Sequence, residues 1–496
     1  MNKTNKKCIV IGSGIGGIAA AIRVRLLGYD VDVYEKNSST GGKLTAFVKD
    51  GFHFDAGPSL FTEPENITEL FELAGENASD FFSYRELPVS CHYFYNDGTT
   101  LNAYTNLSRL GDELENKLGE DRKHLVDYAK DAAESFENIG HLFLDYSLHD
   151  LSLFPFKKIG KALQKTKLSY LLSSLHQHNS KRFKNPKTVQ LFDRFATYNG
   201  SNPYKAPGML SMIPHLELGK GTFYSEDGMI SITRSLTELA KKKGVCFFTE
   251  SNVSRIITEL NEAKGIIVND SFKKADIVIS NMDVYYVYQK LLGKKVKADK
   301  ILKQERSSSA FIFYWGIKRN FNELGLHNIF FSNTYSKEFD SIFNDRKIIS
   351  DPTVYVNITS KMNSGHAPEG MENWFVMVNT FHHKDEDWNS LKTIIKNNVL
   401  NKLSSILKTD IKPLIVTEET LDPFLIQEKT LSYTGSLYGT SSNNAASAFL
   451  RHPNFSKEIK NLYFTGGSVH PGGGIPLCLR SAKIVSSLIE KYQYAQ

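Results

Sequence analysis

The chain has 496 residues, of which 41% are hydrophobic and 23% charged, with a formal net charge of +6. That length exceeds what one hydrophobic core organises, so two or three domains are expected, and the composition excludes disordered, fibrous and collagen-like classes. Four cysteines (Cys8, Cys91, Cys246 and Cys478) stand far apart with no C-x-x-C pair, which excludes a disulfide scaffold or zinc module and fits a reducing compartment.

The first residues, MNKTNKK followed by CIVIGSGIGGIAAAI, have the superficial form of a secretion signal. Their spaced glycines instead follow the grammar of strand, turn and helix, so a retained domain start is expected. No uncharged apolar run reaches the roughly 18 residues a bilayer crossing needs, and no membrane span is expected.

CIVI reads as a short buried strand, Ile18 to Leu27 as an apolar helix closed by Gly28, and VDVY as a second strand ending at Glu35. Between the first strand and the helix, Gly12, Gly14 and Gly17 fit G-x-G-x-x-G. Gly12 suits the tight turn, Gly14 lets backbone approach a pyrophosphate, and Gly17 lets helix pack closely on strand. The helix start then aims unpaired N–H groups at phosphate, and Glu35 is placed to accept hydrogen bonds from an adenosine ribose. Dinucleotide binding follows.

Just beyond, Gly41-Gly42-Lys43 resembles the Gly-Gly-Arg/Lys that wraps FAD in flavoenzymes of the glutathione-reductase-like and amine-oxidase-like kind. DAGPS (55–59) resembles the strand and turn that come after it there. FAD is favoured over NAD.

Between Lys157 and Lys187 there are nine Lys or Arg and no Asp or Glu. Apolar residues are interleaved, among them Ile159, Leu163, Leu168, Leu175 and Phe183, and LFLDYSLHDLSLFPF precedes the run. A basic amphipathic region of this kind suits an anionic bilayer surface. Nucleic acid is not expected as the partner, since no recognised nucleic-acid module accompanies the basic run. Further on, TVYVNIT (353–359) and WFVMVNT (374–380) read as strands of a sheet forming one wall of a second domain. His382-His383 and His176-x-His178 lack a carboxylate–histidine motif and read as surface histidines, so no metal site is expected.

The last stretch, NLYFTGGSVHPGGGIPLCLRSAKIVSSLIE, repeats the opening grammar: a strand at Leu462 to Thr465, a glycine turn, and a helix start. Such a helix N-terminus is suited to stabilise negative charge on a reduced flavin ring.

GGSVHPGGGIPLCLRSAK resembles the terminal signature of the carotenoid desaturase (phytoene desaturase-like) family. In chain order, DAGPSLFTEP (55–64), DGMISITRSLTELAKKKGV (227–245), ADIVISNMDV (275–284) and GSLYG (435–439) resemble further segments of that family, so the resemblance spans nearly the whole chain. It implies an α/β fold: a Rossmann-like FAD-binding domain of the glutathione-reductase/amine-oxidase type with an inserted α+β substrate domain. The expected FAD domain is discontinuous, residues 1–75, 220–300 and 420–496, with 76–219 and 301–419 as the substrate and membrane-facing domain.

The same resemblance implies FAD contacts from Gly14, Glu35, Lys43, Ser59 and Leu60, from Val253 and Asn281, and from Gly467 and Ile475. Gly12, Gly17 and Gly42 join them from the glycine motifs, and Leu437 and Gly474 from the GSLYG and HPGGGIP loops. Val469 and Leu477–Arg480 depart from the family pattern and are expected near the flavin ring.

The implied activity is removal of two hydrogens from adjacent carbons of an acyclic carotenoid. The HPGGGIPLC variant most resembles the branch acting on 1-hydroxycarotenoids at the 3,4 bond, with phytoene desaturation the alternative. Flavin amine oxidase or retinol saturase-like chemistry are further alternatives. The substrate is lipid-dissolved, so a cytoplasmic protein peripherally attached to the membrane is expected. No Ser–His–Asp or Cys–His constellation appears, no catalytic residue is named, and His470 reads as structural.

Overall fold

The computed structural model describes residues 6–154, 173–302, 304–444, 448 and 450–494. Two large sheets organise them. The first has five parallel strands in the order Leu462–Phe464, Ile277–Ser280, Lys7–Ile11, Asp30–Tyr34 and Cys246–Phe248. Its central strand shows no polar alternation because both faces are covered. Cys8 and Val10 pack under the helices Ile15–Leu26, Ile230–Lys242 and Ile475–Tyr494. Ile9 and Ile11 join a core with the antiparallel strands Val253–Glu259 and Glu262–Val268.

The helix expected from Ile18 to Leu27 in fact runs from Ile15 to Leu26. Two glycines in its first turn weaken the local signal, but close packing of Gly16 against Gly466 overrides that preference. Gly28 then leaves the helix with φ +96°.

The second sheet has seven strands in the order Ile415–Leu421, Ser309–Ile317, Glu372–Thr380, Val354–Asn357, His327–Phe330, Val89–Phe94 and Thr100–Tyr104. The two strands expected around 353–380 lie side by side in it, with Val354 opposite Val378. Strand side chains alternate between faces. Phe311, Phe313, Trp315, Trp374 and Val376 project from one face onto the helix Trp388–Leu407, forming a closed core. Ile312, Tyr314, Tyr355, Phe375 and Met377 project from the other and line a large cavity. The rest of that cavity's wall includes the short helical segments Phe136–Gly140, His141–Asp145, Arg194–Asn199, Gly208–Met212 and His215–Gly219.

Of the basic run, Lys157, Lys158, Lys161, Lys165 and Lys167 lie outside the described residues. The part that is described corrects the expected amphipathic surface. Leu175 and Phe183 are buried in protein cores, and Arg182 and Lys187 form ion pairs with Asp131 and Asp97. Amphipathic spacing does not say what covers the apolar face, and here it is the rest of the chain.

Candidate active site

The glycine turn and the acid are tied together before any ligand is considered. Glu35 is buried and accepts from Ser13 N at 2.9 Å and Ser13 Oγ at 2.8 Å, while its second oxygen accepts from Asn37 N at 2.9 Å. This fixes the carboxylate at the end of its strand, beside the start of the first helix. A Cβ on Gly17 would lie 2.1 Å from Gly12 O, and one on Gly14 would lie 2.5 Å from Asn281 Nδ2, so neither position admits a side chain without displacement.

These residues open onto a cavity of about 1230 Å³. Gly12, Gly14, Glu35, Gly42, Lys43, Ser59 and Leu60 line it from the first part of the chain. Val253 and Asn281 line it from the middle, and Leu437, Gly467, Gly474 and Ile475 from the end. Gly17 is set behind the wall, where its lack of a side chain lets helix meet strand. Residues more than 400 positions apart in sequence thus share one enclosure.

The donor set fits an anionic dinucleotide. Lys43 Nζ donates to Leu437 O at 2.9 Å, and burial lowers its pKa to about 8. Arg451, which the sequence did not single out, donates to Tyr438 O at 2.7 Å and to Ser442 Oγ at 3.3 Å. Burial lowers its pKa to about 10, with the neighbouring Arg306 charge adding to the effect. Neither cation forms an ion pair among the described residues, so both stand in the cavity wall with positive charge uncompensated. A phosphate or an electron-rich ring would supply the missing counter-charge. The first-turn amides of the helix Ile15–Leu26, which have no intrahelical acceptor by position, face the same need.

Beyond this polar region the sheet face provides an aromatic wall. Tyr314 and Tyr355 both meet Phe375 edge-on, with ring centroids 5.6 and 6.2 Å apart. Two polar groups interrupt it, and neither carries a local sequence motif.

The first is a buried cluster in which Arg194 Nη2 reaches Glu217 at 3.1 and 3.3 Å and Nη1 donates to Tyr198 OH at 2.7 Å. Tyr198 OH donates in turn to Glu217, as does Ser90 Oγ at 3.1 Å. The second is His327, which is 3% exposed. Its Nδ1 meets Tyr355 OH at 2.8 Å, and Tyr355 OH meets Ser59 Oγ at 2.7 Å.

Several expectations need correction. Val469 does not face the cavity; it is fully buried in a core with Leu462 and Phe464. Of the Leu477–Arg480 departure, Leu477 and Cys478 line the cavity. Leu479 packs in the helix core, and Arg480 pairs with Glu63 and Asp145. A helix turns successive residues to different sides, so one run cannot all face a ligand.

The histidines expected at the surface are half-buried and partnered: His176 with Asp193 at 2.6 Å, His383 with Trp388 Nε1 at 3.0 Å. His470 lines the cavity, and its Nε2 donates to Tyr146 O at 3.0 Å. Burial lowers its pKa to about 4, which keeps it neutral.

The sequence profile described as flavin containing amine oxidoreductase matches residues 15–489. The chain is 49% identical over 484 residues to a 1-hydroxycarotenoid 3,4-desaturase of Flavobacterium sp. (strain P99-3), covering 98% of this chain and 99% of that one. It is 32% identical over 492 residues to a 4,4'-diaponeurosporene oxygenase of Staphylococcus aureus (strain MSSA476), covering 98% of each. Among solved structures, an oxidoreductase from Methanosarcina mazei superposes with a TM-score of 0.62 at 18% identity, over 98% of this chain and 100% of that one. A putrescine oxidase bound to putrescine does so at 0.62 and 13%, over 98% and 99%. These last two likenesses concern the fold alone.

Proposed function

Because the chain belongs to the flavin-containing amine oxidoreductase family, among its carotenoid desaturases, we propose that it is an FAD-dependent desaturase that forms the 3,4 double bond of a 1-hydroxycarotenoid. The observation that carries this reading is one continuous cavity of about 1230 Å³. It exceeds the roughly 300–1,000 Å³ of ordinary ligand pockets, which leaves room for a dinucleotide and a long apolar substrate together. Its glycine-lined, cationic part suits the first, and its aromatic sheet face suits the second.

In this proposal Gly12, Gly14, Gly42 and Glu35 hold the adenosine and pyrophosphate, with Val253 beside the adenine. Lys43, Ser59, Leu60, Asn281, Leu437, Gly467, Gly474 and Ile475 hold the rest of the cofactor. When bound, the flavin supplies the two-electron oxidation.

The protein's own residues do the remaining work. Lys43 and Arg451 supply positive charge where the cofactor is anionic. Tyr314, Tyr355 and Phe375 keep the polyene dry and turn ring edges and faces toward positive charge spread along it. Among the described residues no helix is long and apolar enough to cross a membrane. Substrate collection at the lipid surface is assigned to the basic run 157–187, in its part from 157 to 172.

The test uses purified protein with FAD and liposomes carrying hydroxylated or non-hydroxylated acyclic carotenes, followed by absorption spectra. A red shift confined to the hydroxylated carotene is the expected result. A shift with phytoene would move the assignment to phytoene desaturation, and peroxide formed from an amine would overturn both.

A further inference from the structure

The cavity wall contains a buried polar atom with no role in the fold. His327 is 3% exposed, and its Nε2 has no hydrogen-bond partner among the described residues. The state of the ring can be worked out from its neighbours. Asn357 Nδ2 donates to Leu326 O at 3.1 Å, which identifies it as the amide nitrogen, and the same atom stands 3.2 Å from His327 Nδ1. A donor on that side requires Nδ1 to accept. Tyr355 O–H donates to it as well, at 2.8 Å, and receives from Ser59 Oγ. The ring hydrogen therefore sits on Nε2. Burial lowers the pKa of His327 to about 3, so the ring is neutral and this N–H is permanent.

An N–H buried without an acceptor is costly, and native proteins seldom leave one so. His327 lines the ligand cavity, and because Nε2 itself has next to no free surface there, an acceptor on the ligand reaches it as the wall adjusts around the substrate. A polyene has none. A hydroxylated end group has one oxygen, and in a 3,4-desaturation that oxygen, on C1, is two carbon–carbon bonds from the carbon to be dehydrogenated. Its receptor must therefore stand close to the redox end of the cavity.

His327 meets that condition. Through Tyr355 it is linked to Ser59, a residue assigned above to the cofactor. The parallel pairing of Asn328 with His92 sets His327 beside Cys91, next to Ser90 and the Glu217 cluster. The cluster adds acceptor oxygens within the same wall.

We propose that His327, through its Nε2–H, binds the hydroxyl oxygen of the substrate's end group and sets the preference for hydroxylated over non-hydroxylated acyclic carotenoids. This rests on the desaturase reading above and goes beyond it by naming the specificity-determining residue.

The experiment measures binding rather than turnover. The FAD-loaded protein is titrated with a 1-hydroxylated acyclic carotene and with its non-hydroxylated parent in detergent micelles, using the shift of the carotenoid absorption band, and the two Kd values are compared. The wild type is expected to favour the hydroxylated compound. His327→Leu is expected to reduce that ratio about tenfold, the worth of one hydrogen bond. His327→Gln, which keeps an N–H donor, is expected to restore part of it. Tyr355→Phe, which removes one of the two donors that hold Nδ1 as an acceptor, is expected to reduce the ratio less, and serves if the leucine variant fails to fold.

Equal weakening toward both carotenes would make His327 a structural residue and overturn the proposal. An altered flavin absorption spectrum with an unmoved ratio would place His327 against the cofactor and overturn it too. A wild type that binds both carotenes equally would sink this inference while leaving a desaturase in place, whereas one that binds neither would sink the functional reading itself.

Discussion

At Gly17 an added Cβ would press on the carbonyl oxygen of Gly12, a backbone atom at 2.1 Å that cannot swing aside. Gly17→Ala is therefore expected to cost about 1–3 kcal/mol, as overpacking does, and to spoil the turn proposed to meet the dinucleotide. A denaturant melt and the flavin absorbance of the purified protein check both effects. Lys43 gives a pH prediction. Its folded pKa of about 8 lies below the ordinary 10.5, so the folded cofactor-free protein binds fewer protons than the unfolded chain between those values. Lys43 therefore makes the cofactor-free protein more stable as pH rises across that window. Anionic FAD favours the ammonium, so FAD affinity is expected to fall as pH rises above about 8. Titrations in Lys43→Met should be weaker throughout and lose that slope. The close-packed turn at Gly14 and Gly17 and the acid Glu35 at the end of the next strand were legible because the whole strand–turn–helix–strand unit lies in one short stretch of chain. His327 was not, because its meaning depends on a hydrogen-bond chain joining Tyr355 to a serine 296 positions away.

The element that shapes the substrate side is the seven-stranded sheet, and its two faces have different duties. Trp374, fully buried, anchors the closed face and donates from Nε1 to Glu372 at 2.7 Å. Trp374→Ala is expected to destabilise the protein by about 3–5 kcal/mol, read as a lower midpoint in urea. If the closed face supports the cavity wall, carotenoid binding should weaken with it while retained FAD is affected less, since the part of the cavity proposed for the cofactor draws on the parallel sheet. Residues 353–359 and 374–380 announced themselves as strands by their β-branched and aromatic content. Their partners did not. Ser309–Ile317 is buried at every position, a run that periodicity cannot tell from a buried helix. The parallel pairing of His327–Phe330 with Val89–Phe94 joins segments too distant for any local pattern to report. The described end of the basic run went the opposite way: its pattern was plain, but Leu175 and Phe183 found their cover inside the protein.

At the scale of the whole molecule, the question is how a lipid-dissolved substrate reaches a cavity whose walls come from both ends of the chain. No described helix is long and apolar enough to cross a bilayer, and in the function proposed above the substrate is taken up at the membrane surface. Phe143 and Leu144 line the cavity, and a few residues later the sequence enters a stretch with Lys157, Lys158, Lys161, Lys165 and Lys167 and no acid. Each such residue near an anionic bilayer contributes about 1 kcal/mol of attraction, falling off within a Debye length. Replacing all five by Glu turns attraction into repulsion. Flotation with liposomes containing anionic lipid should then drop sharply, and wild-type flotation should weaken as salt is raised. If the run serves only as a docking surface, the variant should still convert carotenoid supplied in detergent micelles, separating delivery from chemistry. Undiminished flotation of the five-fold variant would place the membrane contact elsewhere on the protein.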